Sequence, residues 1–563
     1  MKIQSFFPGM ASIMLLVACF AIAPKNQLLA QTLEARIDTL ISESYKADEP
    51  GIVVRVQQNG KVLFEKAYGM ADMELGVKMQ PDHIMRLASI TKQFTAVAVL
   101  MLVQEGKVSL SDDFTKYLPD YPTGGRKITV AQLLNHTSGI KSYTSMDDFP
   151  DIWRKDMTLQ ELIDHFKNEP FDFEPGEGLE YNNSAYILAG AVIEKASGMT
   201  YSDFVEQRIF QPLGMTDSYY DVTERIVPRR IRGYGRGKDV GTFTNATYLS
   251  MTLPYAAGSL MSTTADLGKW DEALYTEKLV KQDLLKQAWA PTKLNSGELT
   301  HYGYGWGMNQ IDGYQFIYHS GGIHGFTTNG IRVPDAHLYV VALSNNDYKG
   351  PDIITYKIAQ IVLGTANDQL KPVEMTAKQL AEYVGVYELD SPDKWRHITL
   401  EGNQLYSQRA NSERFKVFAY GKDRFYFEDH PTRLVFERNK AGKVTTLKPV
   451  QPMPFGTDEI YTRTDKAKPS EKESIKVSQS VLDSYVGTYN LFPNFDLTVR
   501  TRDGKLYLQA TGQQEFELFA ESERRFFLKV VDAQVEFLPA VDGVVKELVL
   551  HQGGQDMKGN RIP

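Results

Sequence analysis

One cysteine, Cys19, stands alone in 563 residues, so no internal disulfide can form and a cysteine-rich metal site is excluded. Basic residues are not in excess either. The 62 Lys and Arg are outnumbered by 70 Asp and Glu, and a net charge of −8 leaves no basic stripe to neutralise phosphates, so nucleic acid is not an expected partner. No G-x-S-x-G occurs, which argues against the nucleophile elbow of a Ser-His-Asp hydrolase. The ten histidines are scattered without metal-ligand spacing, and neither a metal nor a cofactor is expected.

What is present is the composition of a soluble globular protein, 42% hydrophobic and 23% charged, in a chain long enough for two to four domains. The N-terminus reads as an export signal over 1–30: Lys2, an apolar core from Ile13 to Ala23 too short to span a bilayer, and Leu28-Leu29-Ala30 before Gln31. A second reading, a lipoprotein signal at Leu16-Val17-Ala18-Cys19, would anchor the chain to a membrane through Cys19. Apolar residues continue past Cys19, so soluble export to the periplasm or medium is the expectation.

The stretch from Met85 to Glu105 starts with small polar groups and becomes apolar from Phe94 to Val103, which predicts a buried helix with Ser89 and Lys92 on one face at its start. A serine hydroxyl beside a desolvated amine is an activated nucleophile, provided burial lowers the lysine pKa from its usual ~10.4. S-x-x-K occurs three times, but Ser138 to Lys141 and Ser391 to Lys394 lie in Gly and Pro turns. Tyr181-Asn182-Asn183 precedes a helix predicted from Ser184. There the phenol, its pKa lowered by a protonated lysine, would shuttle protons, and Asn183 would orient Lys92 and bind a substrate amide. His319-Ser320-Gly321-Gly322 closes an apolar strand, where glycines admit a substrate backbone and the Gly322 amide faces an oxyanion.

The elements predict an α/β (α+β) fold over 31–365. A hairpin, Gly51 to Gln57 and Lys61 to Tyr68, turns at Asn59-Gly60, and late strands run from Gln315 to Ser320, Thr327 to Val333 and Leu338 to Leu343. Together they make one antiparallel sheet, with terminal helices on one face and a helical subdomain beside it, the site lying in the cleft between. Beyond residue 370 the chain repeats: Leu380–Tyr387 echoes Leu482–Tyr489, and Leu405/Leu506, Phe415/Phe516, Phe436/Phe537 and Gly442/Gly543 share one offset of 101. Alternating strands and turns predict two all-β barrels, 379–463 and 479–563, joined by a charged linker, 464–478.

Taken in order, Ser-x-x-Lys, Tyr-x-Asn and His-x-Gly resemble the serine β-lactamase and penicillin-binding family, with support from Leu133–Gly139, Phe173–Glu177 and Gly258–Ser262. The likeness covers roughly 32 to 365, and the Tyr-x-Asn form is similar to its class C branch. It implies that Ser89 is acylated, that Lys92 and Tyr181 form the acid/base apparatus, that the Ser89 and Gly322 amides make the oxyanion hole, and that Asn183, His319, Ser320 and Gly321 bind substrate. One departure stands out: Lys-Thr-Gly is replaced by His319-Ser320-Gly321, which weakens any anchor for a substrate carboxylate. His-x-Gly with two C-terminal barrels resembles the D-aminopeptidase and esterase branch with lipocalin-like modules. The expectation is therefore an exported serine hydrolase acting on small-molecule or peptide amides or esters. A penicillin-binding protein or β-lactamase is the first alternative, and an inactive binding protein using its barrels the second.

Overall fold

The computed structural model describes residues 32–562 except 240, 390–393, 411, 429, 468–473, 493–494, 512, 530–532, 540–544 and 553–554. The export signal with Cys19, Ser391 of the third S-x-x-K, Gly543 of the repeat and part of the linker lie outside these residues.

The chain opens with helix α1 (Leu33–Ser44), capped by Thr32 and buried through Ile37 and Ile41. Strands β1 (Ile52–Gln58) and β2 (Lys61–Tyr68) follow, turning where Asn59 and Gly60 take φ of 51° and 71°, the left-handed pair a tight hairpin needs. Helix α2 (Thr91–Gln104) is buried along its whole length from Thr91 to Leu102, with Phe94 stacked on Trp270 at 4.1 Å. Helix α3 (Asn183–Ser197) is likewise buried from Ser184 to Ile193. Helix α4 (Thr264–Ala273) leads toward the late strands β3 (Gly307–Ile311), β4 (Tyr314–Ile323), β5 (Phe326–Val333) and β6 (Leu338–Ser344), and α5 (Asp352–Leu363) closes the domain.

The sheet is antiparallel in the order β3-β4-β5-β6-β1-β2, as the hairpin-plus-late-strands reading expects. Its two faces bury separate cores. One, with Ile37, Val54, Phe316 and Ile358, lies under α1 and α5; the other, with Leu87, Phe94, Leu188 and Ile317, joins the sheet to the helical subdomain. Two expectations are corrected. The edge strand β3 was not anticipated, and β4 runs on to Ile323, so His319–Gly322 lie within a strand whose pairing to β5 continues to Ile323 and Phe326.

Each C-terminal repeat is a closed barrel of eight strands, from Gly385–Glu388 to Tyr461–Thr464 and from Gly487–Phe492 to Gln555–Ile562. The repeat is physical as well as textual. Tyr387 donates to the Tyr383 carbonyl at 2.8 Å and Tyr489 to that of Tyr485 at 2.9 Å, while Phe436 and Phe537 pack on Tyr383 and Tyr485. Apolar side chains, including Leu405, Phe425, Leu506 and Phe526, fill both interiors. Among the described residues no helix is long and apolar enough to cross a membrane.

Candidate active site

Ser89 sits on a 3-10 turn, Ala88–Ile90, just ahead of α2 and not within the helix itself as the sequence suggests. The physical reason is Ala88, whose φ of 49° is left-handed and cannot continue a helix; such a residue costs about 1–2 kcal/mol and is held only by its surroundings. Those surroundings are the sheet. A Cβ on Gly321 would lie 2.5 Å from the Leu87 carbonyl and 3.0 Å from the Ala88 Cβ, so β4 presses against the Ser89 turn only because residue 321 has no side chain.

Lys92, one turn on, is completely buried. Its Nζ lies 3.0 Å from Ser89 Oγ, 2.8 Å from Asn183 Oδ1 and 3.0 Å from the Ala257 carbonyl. Asn183 stands at the start of α3, where Asn182 caps the helix by accepting the Ala185 N–H at 2.8 Å. Ala257 is brought in by a short helix, Tyr255–Gly258, that crosses α3 at Gly190; a Cβ there would fall 2.4 Å from the Tyr255 ring and 2.6 Å from Ala256. Burial without a carboxylate partner holds the Lys92 pKa well below the ordinary lysine range. A neutral amine has two hydrogens and one lone pair. Asn183 Oδ1 and the Ala257 carbonyl can only accept, so they take both hydrogens and the lone pair is left for the Ser89 hydroxyl.

Tyr181 places its ring 4.8 Å from Lys92 Nζ. Its hydroxyl is buried with no hydrogen bond among the described residues, and burial pushes the phenol above its ordinary range, opposed only by the nearby Ser89. The sequence reading of a lowered phenol pKa is therefore corrected: burial disfavours the charged phenolate and outweighs what would lower it. His136 brackets this residue on both sides. Its carbonyl accepts the Glu180 N–H at 3.1 Å, its Nδ1 accepts the Asn182 N–H at 3.1 Å, and its ring lies 4.4 Å from that of Tyr181. It lies in the Leu133–Gly139 phrase, and no role for it was read from the sequence.

His319 is buried and fully satisfied. Nδ1 donates to the Ser320 carbonyl at 2.5 Å, so Nε2 accepts from the Tyr302 hydroxyl at 2.8 Å. Burial brings its pKa down to about 3, and the ring is neutral. Ser320 lies on the opposite face of β4, exposed and beside Asp352. Gly322 is exposed, and nothing lies within 4 Å of where its Cβ would be. The competing Ser138 to Lys141 pair spends its lysine on Asp172 at 3.0 Å.

A cavity of about 220 Å³ adjoins Ser89, lined by Tyr143, Phe149, Leu253, Asn183, Gly322 and His324 among others. The Tyr181 side of the site is covered by the first barrel, through the segment 451–460 that leads into its last strand. Tyr318 donates to the Pro454 carbonyl at 2.5 Å, the His301 N–H donates to the Gly456 carbonyl at 2.7 Å, and the His301 ring meets Asp458 at 2.7 Å. Phe455 is thereby set 5.7 Å from the rings of both Tyr181 and Tyr302. No local signal in the sequence marks Phe455, because its neighbours in space come from other domains of the chain.

A family model described as Beta-lactamase matches residues 29–363, and one described as Domain of unknown function (DUF3471) matches 369–461 and again 471–561. A penicillin-binding protein of Bacillus subtilis (strain 168) is 26% identical over 95% of this chain and 100% of its own length. Among solved structures, a D-stereospecific amidohydrolase from Streptomyces sp. is 28% identical with a TM-score of 0.52, covering 59% of this chain and 99% of its own. The D-amino acid amidase of Ochrobactrum anthropi SV3, complexed with D-phenylalanine, is 27% identical with a TM-score of 0.52, covering 60% and 99%.

Proposed function

The chain belongs to the beta-lactamase family, and from that premise we propose that it is a serine hydrolase that cleaves small amides through an acyl-enzyme on Ser89. The observation that carries the reading is the Lys92 amine, buried, without a counter-ion, and with its lone pair left for the Ser89 hydroxyl at 3.0 Å. Lys92 takes the hydroxyl proton as Ser89 Oγ attacks the substrate carbonyl, and the Ser89 and Gly322 amides receive the developing oxyanion. Tyr181, kept protonated by burial, gives its proton to the leaving nitrogen and regains one from the Lys92 ammonium. Water then enters by the reverse route and releases the acid.

Amides are favoured over esters because two relatives of 27% and 28% identity are described as amidase and amidohydrolase. Phe455 narrows the Tyr181 side, which suits small substrates. A second reading, binding of penicillins or their peptide counterparts, is supported by the Bacillus relative, which matches over its whole length, barrels included. Against it, the position of the family's carboxylate anchor holds a neutral, fully hydrogen-bonded His319.

The test is Ser89→Ala. It should abolish both turnover of aminoacyl amides and labelling by a fluorophosphonate, with the melting temperature unchanged; labelling that persists on another residue would overturn the proposal. Stable acylation of the wild type by a fluorescent penicillin would favour the second reading. We also propose export, checked at the mature N-terminus: Gln31 means soluble release, and a lipid-modified Cys19 means anchorage.

A further inference from the structure

The cavity beside Ser89 contains one polar side chain that the chemistry above leaves unused. Among its lining residues, the Tyr143 hydroxyl donates to the Leu253 carbonyl at 2.8 Å, and the Thr144 hydroxyl accepts from Asn183 Nδ2 at 2.9 Å. Asn183 is committed to Lys92. His324, in the turn between β4 and β5, differs. Its Nδ1 lies 3.1 Å from the Thr247 carbonyl, which can only accept, so Nδ1 carries the hydrogen and Nε2 keeps a lone pair. Burial holds this imidazole below the ordinary histidine range, so the lone pair is available at neutral pH.

The setting selects for positive charge. Tyr143, Phe149 and His324 line the cavity and Trp153 packs on the last two, in edge-to-face contacts of 5.6, 6.2 and 4.8 Å that make this wall largely aromatic. Behind the imidazole the Asp347 carboxylate, which accepts the Gly325 N–H at 2.9 Å, adds negative potential that outweighs the opposing Arg86 guanidinium. No Asp, Glu, Lys or Arg is among the described lining residues, so no lining cation meets a carboxylate or repels an ammonium.

Building on the Ser89 reading, we propose that His324 is the subsite for a substrate amino group: Nε2 accepts a hydrogen bond from the ammonium of an aminoacyl amide whose carbonyl lies at Ser89. The preferred substrates are amides of free amino acids, and the same acyl group without its amine is a poorer one.

The experiment compares phenylalanine p-nitroanilide, as both enantiomers, with 3-phenylpropionyl p-nitroanilide, which lacks the amine, on wild type, His324→Leu and His324→Gln. A hydrogen bond to a charged group makes the wild type prefer the better amino enantiomer by about 10- to 100-fold in kcat/KM. His324→Leu collapses that ratio, chiefly through KM, and His324→Gln, which keeps an acceptor, restores part of it. A ratio unchanged in His324→Leu while Ser89 still takes a fluorophosphonate overturns this proposal alone. No turnover of any substrate together with no Ser89 adduct overturns the hydrolase reading and this one with it.

Discussion

Replacing Asn183 with aspartate tests the charge state of Lys92 directly. The side chains are nearly isosteric, and Thr144, which now accepts from Asn183 Nδ2 at 2.9 Å, can turn its hydroxyl to donate instead. What changes is the charge 2.8 Å from Lys92 Nζ. In the wild type the amine is buried with no anion against it, so its pKa is depressed, and the proposed mechanism uses the neutral form as the base. An adjacent carboxylate favours the ammonium and raises the pKa by about 1–3 units. Activity needs the neutral amine, so it falls on the acid side of the Lys92 pKa. Raising that pKa moves the acid limb of the kcat/KM profile upward by the same about 1–3 pH units. On the acid limb this is a loss of about 10- to 1,000-fold at a given pH that recovers as the pH is raised. The assay is the full pH profile of kcat/KM with an aminoacyl anilide, together with a melting curve to confirm folding. A profile lowered evenly at every pH, with its limb unmoved, would refute the neutral-lysine mechanism.

Other positions give separate expectations. Phe455→Ala opens the Tyr181 side of the site, so kcat/KM for bulky leaving groups should rise several-fold relative to small ones; an unchanged preference in a leaving-group series would show that the barrel segment does not limit size. Gly321→Ala places a methyl group 2.5 Å from the Leu87 carbonyl, so it should destabilise by about 1–3 kcal/mol in denaturant unfolding and displace the Ser89 turn. Gly322→Ala meets nothing within 4 Å and should melt like the wild type, so comparing the two melting curves gives the cost of crowding at residue 321, where a methyl also meets Thr328 Oγ1.

Much of this was legible in the chain itself. Helix α2 could be placed because its apolar run has neither Gly nor Pro, and the first hairpin because Asn59-Gly60 suits left-handed φ values. The repeat was visible because pairs such as Leu405/Leu506 and Phe436/Phe537 fill equivalent interiors. Ser89 and Lys92 share a face because three residues make about one helical turn, whatever lies around them. Strand β3 went unread for want of an alternating pattern, and the 3-10 turn at Ala88 because its positive φ sits in tertiary packing that includes β4, β5 and the Leu260 segment.

The sequence alone picked out the candidate reactive groups and the elements that carry them, since these follow from covalent neighbours and local periodicity. Only the tertiary structure decided what those groups are chemically. The state of Lys92 is set by Asn183, 91 positions away, and by the Ala257 carbonyl, 165 positions away. The Tyr181 phenol is kept protonated by burial, and its neighbour Phe455 arrives from another domain. Desolvation sums over everything packed around a group, and that packing exists only once distant parts of the chain have come together.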